Sequence, residues 1–203
     1  MDAIRLCPHK LNPMLENMLT DVWFWAFLGA IGWGLGIGLV GTRTLGRHLG
    51  FGIVMFVLAE IPRALLTLPF VDQPRILPRT LWQIILGGLI LAGSLVFAAP
   101  VFRIVPLTAP DKSEPLRTDG LYSIVRHPLM VCDILWPLGL SLIFGSVIGV
   151  LLTPLWFLMI WVLTNVEEES LTREYGDAYC DFQSRVPRFL PRLPGFDRKR
   201  NTK

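Results

Sequence analysis

Charge is scarce in this 203-residue sequence: 17% of the residues are Asp, Glu, Lys or Arg, against 52% that are hydrophobic. That balance argues against a soluble domain of ordinary proportions, in which about a quarter of the residues carry charge. Cysteine is scarce too. Cys7, Cys132 and Cys180 are odd in number and far apart, which excludes a disulfide framework and a Cys-x-x-Cys clamp, so no structural metal is expected. His9 and His48 lie near the ends of apolar runs without ligand-spaced companions and read as solvated. No RNA- or DNA-binding motif accompanies the formal net charge of +3, so no nucleic-acid partner is expected.

What the sequence has in abundance is apolar length. Runs suited to crossing a bilayer fall at roughly 21–41, 49–71, 81–102, 129–145 and 147–165, the last two joined tightly around Phe144-Gly145-Ser146. The expectation is an all-α integral membrane fold of about five transmembrane helices with a cytoplasmic C-terminal helix and tail. Residues 1–203 then form one membrane domain, with three N-terminal spans over about 21–102 and a motif region over about 114–193. No separate soluble enzyme fits, so any chemistry is built from helix ends, loops and the tail. Arg5 and Lys10 precede the first run, but that run is long and lacks a small-residue cleavage site before Gly41-Thr42-Arg43. It reads as an uncleaved first span.

Orientation follows from the basic residues. One side collects Arg43, Arg47, Arg103, Lys112, Arg117 and Arg126, and then the tail's Arg173, Arg185, Arg188, Arg192, Arg198, Lys199, Arg200 and Lys203. The other side holds only Arg5, Lys10, Arg75 and Arg79. The protein is therefore expected to be multi-pass, with its N-terminus outside and its C-terminus cytoplasmic.

Gly32-Trp33-Gly34-Leu35-Gly36-Ile37-Gly38 contains glycine pairs, yet it follows no strand, so a dinucleotide loop does not fit. Gly32/Gly36 and Gly34/Gly38 read instead as small-xxx-small pairs that let a neighbouring helix approach. Glu60 and Arg63 lie one turn apart inside the second run, where charge is costly, and read either as a structural ion pair or as part of a substrate pocket.

Two polar clusters flank the fourth and fifth runs and so return to one face. The first is Gly120-Leu121-Tyr122-Ser123-Ile124-Val125-Arg126-His127-Pro128, whose proline suits a helix first turn. The second runs from Glu167-Glu168-Glu169 through Tyr175-Gly176-Asp177-Ala178-Tyr179 to Arg185-Val186-Pro187-Arg188-Phe189-Leu190-Pro191. Taken singly, each piece has a bland reading: positive-inside residues, a solvated first turn of a tail helix, or an anchor for anionic headgroups. Together, a carboxylate cluster facing an Arg-His pair at a membrane boundary suits a zwitterionic cofactor, because guanidinium groups hold carboxylate and carboxylates hold ammonium.

The ordered set G-x-Y-x-x-x-R-H-P, E-E, Y-G-x-x-Y and R-V-P-x-x-L-P resembles the isoprenylcysteine carboxyl methyltransferase family and the related phospholipid methyltransferases, over roughly the last 80 residues. The resemblance implies S-adenosylmethionine as cofactor, contacted by Tyr122, His127, Pro128, Glu167 and Glu168. It also implies Arg126 and Arg185 as the catalytic pair steadying a substrate carboxylate. The lipophilic acceptor the resemblance implies, an isoprenylcysteine-like compound, would enter laterally from the bilayer. This sequence departs from the family after R-H-P, where Leu129-Met130-Val131-Cys132 replaces x-Tyr-x-Gly, at positions beside the acceptor. Two alternatives stand beside this reading. An NADPH-dependent membrane reductase of the sterol reductase type is suggested by Cys132-Asp133 and Tyr179-Cys180, and opposed by Glu167-Glu168 and the short length. A non-catalytic membrane protein with a relic site is the other.

Overall fold

The computed structural model describes residues 13–41, 49–76, 78–104 and 115–191. Arg43, Arg47, Lys112, Glu114, the basic tail from Arg192, and Cys7, His9 and His48 lie outside the described residues, so the expectations resting on them are not addressed below. Among the described residues the fold is all-helical. The helices are α1 (Pro13–Thr20), α2 (Val22–Gly41), α3 (Leu49–Leu65), α4 (Leu81–Ile104), α5 (Pro128–Phe144), α6 (Val147–Leu151), α7 (Thr153–Tyr175) and α8 (Asp177–Arg185). A short 3-10 turn covers Gly120–Ser123. By length and composition, two helical stretches suffice to cross a membrane, Leu81–Pro100 and the nearly continuous Val147–Tyr175. Val22–Gly38 and Pro128–Phe144 are shorter apolar helices.

The apolar runs become helices close to their expected limits, with two differences. The second run stops being helical at Leu65 instead of continuing to residue 71. There the bonds tighten to Thr67 N–H donating to Ala64 O and Leu68 N–H to Leu65 O, and Pro69 follows. The residue before a proline is disfavoured in helical geometry, so the helix closes ahead of it. The fourth and fifth runs meet at the expected turn, but the fifth is broken at Leu152 into the short α6 and the long α7. Gly145 adopts the left-handed conformation (φ 67°) that ends α5, Ser146 N–H returns to Ser141 O at 2.8 Å, and Ser146 Oγ caps the interposed helix α6 through Gly149 N–H.

Helices pack as two groups, α4 on α5, and α2 on both α3 and α7. Backbones touch at glycines in both. A β-carbon on Gly87 would lie 2.7 Å from Gly139 O, and one on Gly139 would lie 2.9 Å from Gly87 O, so this crossing admits no side chain. On α2 the close approach is made by Gly32, whose β-carbon would meet Ala59 N at 2.6 Å. Gly34, Gly36 and Gly38 face open space. The expected small-residue seam is thus one glycine deep.

The ends of the molecule away from the polar motifs are stitched by the segment between α3 and α4. Ile76 N–H donates to Gly145 O, Val147 N–H to Pro74 O, and Asp72 N–H to Thr20 O. Arg75 donates to the carbonyls of Thr67 and Phe144, at 3.2 and 3.1 Å, and to Val71 and Leu68. It thus neutralises the carbonyl-rich ends of α3 and α5 together.

Candidate cofactor pocket

At the opposite end, α5 begins where α7 ends, and four separate chain segments close around one cavity of about 380 Å³. Pro115, Leu116, Arg117 and Tyr122 arrive from the extended segment and the 3-10 turn. Arg126 through Met130 come from the start of α5, Glu167, Leu171 and Tyr175 from α7, and Tyr179 and Phe182 from α8. The fold of α8 over the cavity depends on Gly176. Its φ of 55° and ψ of −128° form a bend that a residue with a β-carbon rarely adopts. Below the bend, Tyr179, Phe182 and Val186 pack on Leu116, Tyr122, Leu171 and Tyr175 and give the cavity aromatic walls.

Glu168 is the hub behind those walls. Arg126 Nε and His127 Nε2 each lie 3.0 Å from its Oε1, with Arg126 Nη2 at 2.9 Å. Arg188 reaches the same carboxylate through both Nε and Nη2, and Gln183 Nε2 is 3.2 Å from Oε2. A carboxylate offers about four acceptor positions, so Glu168 is saturated by its own chain. It does not line the cavity. Arg126 is similarly engaged: besides Glu168 it donates from Nη1 to Gln183 O at 2.9 Å and to Val186 O at 3.3 Å, capping the carbonyl end of α8.

The chain after α8 is strapped onto the start of α5. Arg126 N–H donates to Pro187 O and His127 N–H to Arg188 O, while Phe189 packs near His127, Phe157 and Trp161 with ring centroids 5.9 to 6.1 Å apart. Arg188 Nη1 also donates to Asn165 Oδ1 at 2.8 Å, and its guanidinium lies 4.9 Å from the Trp161 ring centroid.

His127 is held between two acids. Its Nδ1 lies 3.4 Å from Glu167 Oε2 and its Nε2 lies 3.0 Å from Glu168 Oε1. Burial opposes a charge on this ring, but the hydrogen bonds and attraction of Glu167 and Glu168 outweigh it, and the imidazole titrates above its ordinary value. Burial likewise pushes the Tyr122 hydroxyl up, reinforced by Glu167 and offset only in part by Arg117. Tyr179 is pushed up by burial and by Glu168. Both phenols therefore stay neutral donors at neutral pH. Two shielded atoms on the cavity's residues lack a close hydrogen bond, the Tyr179 hydroxyl and Glu167 Oε2, which has the His127 ring 3.4 Å away. Buried polar atoms left so are costly, by about 1–3 kcal/mol each, and ask for a ligand or water.

Of the residues singled out from the motifs, Tyr122, Arg126, His127, Pro128 and Glu167 meet at the cavity. Glu168 stands one layer behind it. Arg185 is not brought there: it is exposed at the last turn of α8, and its Nε donates to Asp181 O of its own helix. The arginine that folds back is Arg188, because α8 ends at Arg185 and Val186 is extended (φ −108°, ψ 128°), which swings the chain across the hub. Glu167–Glu169 belong to the last third of α7, a continuation of the membrane-length helix and not a separate tail turn. Tyr179, present in the Y-G-x-x-Y motif, and Arg117, counted only among the basic residues, also line the cavity without having been expected as cofactor contacts. Among the described residues there is no group of three or more His, Cys, Asp or Glu that could hold a metal ion.

The profile of the phospholipid methyltransferase family matches residues 82–178. The protein-S-isoprenylcysteine O-methyltransferase of Schizosaccharomyces pombe is 30% identical over 113 residues, 54% of this chain and 47% of the relative. The methanethiol S-methyltransferase 2 of Bradyrhizobium diazoefficiens is 38% identical over 92 residues, 43% and 32% of the two chains. The nickel-cobalt-cadmium resistance protein NccN of Alcaligenes xylosoxydans is 35% identical over 86 residues, 42% and 40%. The chain thus spans less than half the length of these relatives. No solved structure matches it significantly.

Proposed function

From the match of residues 82–178 to the phospholipid methyltransferase profile and the similarity to the isoprenylcysteine O-methyltransferase, we propose that this chain is an S-adenosylmethionine-dependent methyltransferase acting on a lipophilic acceptor at the cytoplasmic membrane face. In this reading residues 1–203 are one multi-pass membrane domain with the N-terminus outside. The observation that carries the reading is the charge layout of the cavity: Glu167, whose shielded oxygen has only a long 3.4 Å contact to His127, lines it together with Arg117, Arg126 and three tyrosines.

Those residues fit the cofactor's chemistry. Glu167 suits an ammonium or a ribose hydroxyl, Arg117 a carboxylate, and Tyr122, Tyr175 and Tyr179 an aromatic base. His127 and Pro128 floor the cavity, while Arg126, Glu168 and Arg188 hold its shape. When bound, S-adenosylmethionine supplies a methyl group activated by a sulfonium. In-line displacement asks the protein for alignment and for charge placement more than for proton transfer, and helices pinned through a saturated hub provide a rigid frame for both. Leu129 and Met130 line the cavity from α5, which turns into the apolar body of the molecule, so an acceptor with an apolar tail fits that side.

Substrate class is the finer part of the proposal. Carboxyl methylation of an isoprenylcysteine-like compound and methylation of a small thiol are the two acceptor chemistries carried by the names of the relatives above. An NADPH-dependent reductase is not favoured, because the matched family and both of these relatives are methyltransferases. Calorimetric titration of detergent-purified protein with S-adenosylmethionine, S-adenosylhomocysteine and NADPH tests the cofactor. Binding of the first two alone is expected; binding of NADPH alone overturns the proposal. Transfer of labelled methyl to N-acetyl-S-farnesylcysteine, compared with a short alkyl thiol, then assigns the acceptor.

A further inference from the structure

A second polar cluster lies inside the helix bundle, away from the cavity. Arg63 on α3 is 1% exposed and Glu60, one turn earlier, is 4% exposed. Arg63 Nη1 donates to Glu60 at 2.6 Å, and its Nη2 donates to the backbone carbonyl of Asp133 on α5 at 2.5 Å. Trp33 on α2 donates from its indole to Glu60 at 3.1 Å. The guanidinium carbon lies 5.4 to 5.9 Å from the ring centroids of Trp33, Trp136 and Trp156, which belong to α2, α5 and α7. One side chain therefore touches the four helices α2, α3, α5 and α7.

We propose that Arg63 is a positioning residue: by joining α3 to the Asp133 carbonyl it sets the placement of the α4–α5 pair against the α2–α3–α7 group, and so the width of the cavity between them. The inference rests on the cavity described above, not on what occupies it. Its walls come from both groups, since His127–Met130 begin α5 and Glu167, Leu171 and Tyr175 lie on α7. Asp133 stands about 8 Å along the α5 axis from Pro128, at 1.5 Å per residue. A bond there governs how the first turns of α5 lean toward α7.

Stability alone does not account for the cluster. Arg63 Nε and Glu60 Oε2 are both buried without a partner, and apolar replacement of a buried ion pair is often neutral or stabilising. What an apolar replacement cannot reproduce is direction. A guanidinium fork fixes two acceptors on two helices at set angles, whereas packed methyl groups leave them free to slide.

The test measures placement directly. In full-length protein with Cys7 and Cys180 changed to Ser, spin labels are attached at Leu95→Cys on α4 and Leu158→Cys on α7, both exposed positions. The interlabel distance distribution and S-adenosylhomocysteine affinity are measured without further change and with Glu60→Gln/Arg63→Gln, which removes the ion pair as a unit. The expected result is a shifted or broadened distance distribution and about tenfold weaker binding. Arg63→Lys, which keeps the charge but loses the fork, is expected to change both in the same direction, and it serves alone if the double variant does not fold. A distance distribution that stays unchanged below the melting temperature, even with a lowered melting temperature, overturns the proposal and leaves Arg63 a packing residue. Absence of S-adenosylhomocysteine binding in the parent protein overturns the methyl-donor reading instead, and the distance measurement still decides the role of Arg63.

Discussion

His127 Nε2 and Glu168 Oε1 lie 3.0 Å apart although 41 residues separate them. The contact ties the residue that precedes α5 to the last third of α7, and Arg126 and Arg188 converge on the same carboxylate. Two adjacent glutamates thereby acquire different work. Glu168 is consumed in joining helices, whereas Glu167 lines the cavity and touches only the His127 ring, at 3.4 Å.

Substituting each in turn separates these roles. Glu167→Gln is expected to weaken S-adenosylmethionine binding by about tenfold, the equivalent of 1.4 kcal/mol, with an unchanged melting temperature. Glu168→Gln strands two arginines and is expected to cost about 3–5 kcal/mol of stability, seen as a clear loss in thermal melting. The reverse pattern, Glu167 structural and Glu168 neutral, contradicts this division.

The arginines divide likewise. Arg185→Lys is expected to leave stability and cofactor affinity unchanged, since its partner is a carbonyl of its own exposed helix end. Arg188→Lys gives up the paired donation to Glu168 and the bond to Asn165, a loss of about 1.5–3 kcal/mol in unfolding measurements. A turnover defect confined to Arg185→Lys would restore Arg185 to the site.

The His127 hub should respond to pH. Its folded titration point is raised above the unfolded value, so protonation favours the fold. The contribution is fully present below about pH 6.5, the unfolded value, and is lost as pH rises through the folded one. Melting temperatures of the parent protein should therefore fall across that window, and those of His127→Gln should fall less. Parallel curves would show that the ring carries no linked proton.

Helix contact at α2 is local. Gly32→Ala places a methyl group 2.6 Å from backbone atoms of α3 and is expected to destabilise by about 1–3 kcal/mol. Gly34→Ala enters open space, where stability should stay level or rise by at most about 1 kcal/mol. Thermal melts of the two variants side by side check the asymmetry.

Topology is checked at Cys180, which is exposed on α8. With a cytoplasmic C-terminus, an impermeant maleimide added to intact cells leaves Cys180 unmodified and reacts with it after lysis. Labelling in intact cells would reverse the orientation.

Helix positions were legible because an apolar run and its terminators act locally. Pro128 marks the start of α5 and Gly145 its end whatever surrounds them. The R-H-P and Glu-Glu clusters were legible as one end for a similar reason, since a helical hairpin returns the chain to the end from which it started. Relations across the bundle were not legible in this way. The glycine motif on α2 contains four equally spaced candidates, and only the packing of α3 selects Gly32.

Composition, periodicity and motif spacing are properties of neighbours along the chain, and they suffice for apolar helices with an acidic and a basic cluster at one end. Only helix packing selects Arg188 over Arg185 at the hub, saturates Glu168 while leaving Glu167 at the cavity, and carries Arg63 across to α5. Each of those choices depends on where a long side chain ends, and a guanidinium carried several ångströms from its backbone finds its partners only after the helices have packed.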